Sequence, residues 1–120
     1  MTGAITARDA LFDDGVFKIA RIAPPPDGLV LTGEADEAGY HALVQALAGL
    51  PSRNGAAPPE VHLELSGLEF CDAAALRAMI APARDGSRRV VLHHPAAGLR
   101  ALIRIAGWCE LPGLTVVTSW

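Results

Sequence analysis

Two aspartates stand where a carboxylate could do chemistry. Asp36 lies in GEADEAG, between an apolar run and a helical period, and Asp72 lies in LEFCDAAALRAMI, between a hydrophobic run and three alanines. Acids at the ends of neighbouring strands could hold Mg²⁺ or share a proton. Each is equally well placed as a helix cap: Asp72 can accept the amide of Ala74 or Ala75, an effect worth ~1 kcal/mol that the helix dipole reinforces. Asp36, with Glu37 beside it, stands at the start of the helix that follows, where the dipole favours negative charge. Other reactive groups are few. Cys71 and Cys109 are 38 positions apart, without CxxC or zinc-type spacing, and read as reduced structural thiols. His93 and His94 invite a metal, but adjacent side chains on a strand point to opposite faces, so the pair reads as a solvated strand end and no metal site is expected. P-loop, GxSxG, HExxH and dinucleotide motifs are all missing, and no nucleophile accompanies the acids, so no catalysis is expected.

The elements that would position these residues follow from periodicity. GVFKIARIA sets Val16, Phe17, Ile19 and Ile22 against Lys18 and Arg21, a strand that APPPDG stops. LVLTG is a second strand, which makes residues 16–33 a hairpin, whereas residues 1–15 show no firm period and are set apart from a domain over 16–120. Tyr40, Leu43, Val44, Leu47 and Leu50 draw a helical stripe, and PSRNGAAPP is a loop. EVHLELSG is a third strand, with Ser66 and Gly67 at its turn. After Asp72 a helix puts Leu76, Met79, Ile80 and Ala83 on one face and Arg77 and Arg84 on the other, with Pro82 expected to kink or end it. RRVVLHH reads as a buried strand, and PAAGLRALIRIAG as a helix with Leu99, Leu102, Ile103 and Ala106 inward. LTVVTSW closes with a last strand. This order predicts an α/β domain: a mostly parallel mixed sheet of about five strands, with an antiparallel edge and three or four helices.

Composition bounds the function. A chain of 120 residues, 51% of them hydrophobic, suits one core. Lys18 is the sole lysine and the net charge is −3, which argues against a nucleic-acid footprint. No apolar run approaches the ~18 residues of a membrane span, and MTGAITARDALFDDG lacks the apolar core of a signal peptide, so a cytoplasmic protein is expected.

LVLTGEAD and VHLELSGLEFCDAAALRAM together resemble the STAS domain of bacterial anti-sigma factor antagonists and sulfate-transporter tails. Gly33, Asp36, Leu63, Leu65, Ser66, Gly67, Phe70 and Asp72 fit that family's positions, and the likeness covers residues 16–118. It implies a partner-binding surface at the strand ends and helix start: Glu34, Asp36, Phe70, Cys71, Asp72, Ala73, Ala74 and Ala75, with Arg77 and Arg84 on the exposed helix face. The implied partner is an anti-sigma factor with serine kinase activity, or a transport ATPase of the lipid-trafficking type. No cofactor is implied. One departure bears on mechanism: the family's phosphorylated hydroxyl follows the aspartate, where this chain has Ala73, and D-A-A-A replaces D-S-x-G. A charge switch at that position is therefore not expected. A second class of reading makes Asp36 and Asp72 a binding site for a small anion, a nucleotide or Mg²⁺.

Overall fold

Strands β2 (Phe17–Ile22) and β3 (Gly28–Ala35) pair antiparallel, with Ile19 opposite Leu31 and Arg21 opposite Leu29. Phe17, Ile19, Leu29 and Leu31 are buried while Lys18 and Thr32 are exposed, so the alternation seen in the sequence becomes an inner and an outer sheet face. The computed structural model describes residues 7–22, 27–52, 55 and 57–118. Most of the turn joining these strands, at residues 23–26, lies outside them.

Three further strands continue the sheet in parallel: β4 (Glu60–Glu64) beside β3, then β6 (Arg89–His93), then β7 (Leu114–Val117). Helices α1 (Tyr40–Ala48), α2 (Ala73–Asp85) and α3 (Ala97–Ile105) make the connections. The result is a single α/β domain with a mixed sheet, as periodicity and order predict.

Among the described residues it holds seven strands, where about five were expected. One addition is β1 (Ala7–Asp13), antiparallel to β2 within the segment that showed no period. Its register shifts between Ala7 and Asp9 and again between Ala10 and Phe12. Each irregularity changes the phase of in–out alternation, which hides the strand from a period-of-two reading. The other addition is β5 (Leu68–Cys71), split from β4 by the turn at Ser66 and Gly67. β4 pairs with Gly28–Val30 and β5 with Gly33–Ala35, so two short strands share one side of β3.

Gly33 is the joint. Its φ is +92°, its amide donates to the Gly67 carbonyl at 2.9 Å, and a Cβ there would lie 2.0 Å from the Val16 carbonyl oxygen. Glycine alone accommodates both the dihedral and the approach.

On α2, Leu76, Met79, Ile80 and Ala83 are buried as the stripe predicts. The helix runs past Pro82 to Asp85 and stops at Gly86, which takes φ +79°. Pro82 therefore does not end it: the helix continues for three residues although position 82 offers no amide to the Ala78 carbonyl. Two stripes are narrower than expected. α1 buries Leu43 and Leu47 but leaves Tyr40 and Val44 exposed, and α3 buries Leu99 and Ile103 but leaves Leu102 and Ala106 exposed. In both helices one i, i+4 pair faces the sheet and its neighbours fall on the margin.

The buried helix residues form one cluster with Val61, Leu63, Val90 and Leu92, so all three helices cover the same sheet face. Alternation sends Glu60, His62 and Glu64 of β4, and Arg89, Val91 and His93 of β6, to the other. Buried Arg88 ties the layers together at the lower end of β6: its Nε donates to the Pro51 carbonyl at 2.7 Å and its Nη2 to the Leu50 carbonyl at 2.9 Å. These carbonyls follow the end of α1, where the helix leaves acceptors without partners of its own. Among the described residues no helix is long and apolar enough to cross a membrane.

Candidate functional site

β3 and β5 run side by side, with Glu34 opposite Phe70 and Ala35 opposite Cys71, and the Asp72 amide donates to the Ala35 carbonyl at 3.0 Å. The chain therefore leaves both strands together, at Asp36 and Asp72. Asp72 Oδ1 accepts the Ala75 amide at 2.8 Å and starts α2. Asp36 Oδ1 accepts the Ala38 amide at 3.0 Å and starts the short 3₁₀ turn Glu37–Gly39 that leads into α1. Both acids cap helices, and with Glu37, Ala38 and Phe70 they also line one open cleft.

Phe70 is 51% exposed, unusual for a strand aromatic next to a core. It also lines a second concavity, an apolar groove of ≈ 320 Å³ between β5 and α3 whose walls include Leu68, Cys71, Leu99 and Leu102. The ring thus stands as a ridge between an acidic cleft and an apolar groove. Ala73 is exposed at the start of α2 and Ala75 is buried beneath it. Cys71 is half-buried; burial, and then the neighbouring Asp72 charge, push its thiol up to about 12, far from the thiolate that reactive cysteines need. Arg77 is exposed on α2. Arg84 is exposed near the far end, roughly 16 Å along the axis from Ala73, where its guanidinium lies 5.9 Å from the centre of the Trp108 ring. The strand ends bring together Glu34, Asp36 and Phe70 to Ala75, and Arg84 stands apart from them.

A second group of polar side chains gathers at the ends of β4 and β6. His94 does not continue the strand: it turns at φ +56°, and its ring comes to 6.0 Å from that of His93. The expectation that the two rings diverge fails because strand alternation stops at His93. Glu64, only 4% exposed, faces His94, with Oε1 and Oε2 at 3.1 and 3.3 Å from Nδ1. His93 Nε2 lies 2.7 Å from His62 Nδ1, and His62 Nε2 lies 3.0 Å from Glu60 Oε1. The signal available in the sequence was the spacing of Glu60, His62 and Glu64 at every second position of EVHLE, which puts all three on one face.

No curated protein matches the chain. A family model described as "Mlab, STAS domain" matches residues 20–116. That span runs from β2 to β7 and takes in the paired ends of β3 and β5 and the whole of α2, and on it the chain belongs to the STAS domain family.

Proposed function

We propose that this STAS domain is a non-catalytic partner-binding module of the anti-sigma factor antagonist type, which docks through the ends of β3 and β5 and the first turn of α2. It does so without a phosphorylation switch at position 73. The observation that carries this reading is Phe70, half-exposed on the ridge between the acidic cleft and the apolar groove. An aromatic side chain with an apolar groove on one side and carboxylates on the other has the make-up of an interface anchor with a polar rim. Ala73 supports the second half: no hydroxyl lies between Ser66 and Ser87 to receive a phosphate. The acids need no catalytic role, since each carboxylate already caps a helix.

The test starts with a pull-down from native lysate and continues with calorimetric titration of the recovered protein. Ala73→Ser should bind like the wild type, because a hydroxyl at a helix start is tolerated. Ala73→Glu adds bulk and charge beside Asp72 at the contact and should weaken binding by several kcal/mol while the melting temperature barely moves. Equal affinities for all three chains would place the docking surface elsewhere. Recovery of an anti-sigma kinase or of a transport ATPase subunit identifies the partner class.

A further inference from the structure

We propose that Glu64, His93 and His94 form a binding site for a divalent transition-metal cation of the Zn²⁺ class, on the sheet face away from the helices and independent of the docking surface. One ligand atom from each of the three lies within 4.8 Å of the others. A tetrahedral cation with bonds of about 2.0 Å sets its ligand atoms roughly 3.3 Å apart. Glu64 Oε1 and His94 Nδ1, at 3.1 Å, already stand at that spacing, and His93 supplies the third ligand atom of the group. Two imidazoles and one carboxylate are the donor set of zinc sites that keep a fourth position open, and they suit Zn²⁺ far better than Mg²⁺.

The surroundings hold these ligands in metal-ready form. Glu60 is a carboxylate and only accepts, so the ring proton of His62 sits on Nε2 and its Nδ1 accepts from His93 Nε2–H. His93 is left with its lone pair on Nδ1. The Ser66 amide donates to Glu64 Oε1 at 3.1 Å and fixes the carboxylate. A carboxylate–histidine chain behind one ligand and a backbone amide behind another are the kind of outer contacts that orient metal ligands. His94 contributes through backbone geometry: at φ +56° its ring turns back toward Glu64 instead of away from it.

The experiment uses the tag-free chain, stripped with EDTA and titrated calorimetrically with ZnCl₂ and with MgCl₂, with thermal melts in parallel. One Zn²⁺ should bind per chain and raise the melting temperature with occupancy, while Mg²⁺ should do neither. His93→Gln and Glu64→Gln should each abolish the Zn²⁺ response, and His62→Gln should weaken it about tenfold or more. His41→Gln and Cys109→Ser, at exposed positions elsewhere, should leave it intact. If buried Glu64→Gln fails to fold, His93→Gln and His62→Gln decide the matter. Absence of Zn²⁺ binding by the wild type, or binding that survives His93→Gln, overturns the proposal.

Discussion

Asp72 holds the first turn of α2 with one carboxylate oxygen, which accepts the Ala75 amide. Asp72→Ala should therefore cost ~1 kcal/mol in urea denaturation, and Asp72→Asn should recover most of it, because an amide oxygen caps nearly as well. An Asp72→Asn chain that keeps its stability but loses its partner would assign the charge a role in recognition as well. The cap was legible in the sequence because the acid stands just before three alanines, at the start of a helical period. His94 was not legible: a positive φ at a residue other than glycine is set by what surrounds it, here the Glu64 carboxylate and a 2.7 Å bond from its amide to the Val117 carbonyl. Phe70 was identified as a site residue, but its ridge position depends on α3, which comes much later in the chain.

At the scale of elements, the joint between β4 and β5 rests on Gly33. Gly33→Ala combines a disfavoured φ with a backbone clash and should cost more than about 2 kcal/mol. Gly86→Ala makes a matched control, since Gly86 has a similar φ of +79° but open space where a Cβ would go, and it should cost only about 1 kcal/mol. Denaturant melts of the two variants would separate strain from collision; equal losses would mean that the Val16 carbonyl simply moves aside. β2 and β3 were legible from their apolar and polar residues, β6 from its short continuous apolar run, and α2 from its stripe. β5 was not, because Glu69 and Phe70 are exposed in succession and break the alternation, and β1 was hidden by its register shifts.

Across the whole molecule, the sheet divides labour between its faces. One is sealed by three helices, and the other carries the histidines and glutamates of β4 and β6. The succession of strands and helices along the chain could be worked out from periodicity, since each segment carries its own pattern; which strands neighbour one another and which side chains meet across them could not, because pairing and register are properties of pairs. Arg88 belongs to this scale. Its bonds reach residues 37 and 38 positions earlier, and β4 and α2 lie between. Closing so long a loop is entropically costly until the intervening elements have docked. Arg88 therefore fastens late on the way to the native state, and stopped-flow chevrons of Arg88→Met should show faster unfolding with a refolding limb almost unchanged. Slower refolding of equal size would put the contact in the nucleus instead. A side chain that closes last acts as a latch: it adds little to how fast the chain finds its structure and much to how long the chain stays there.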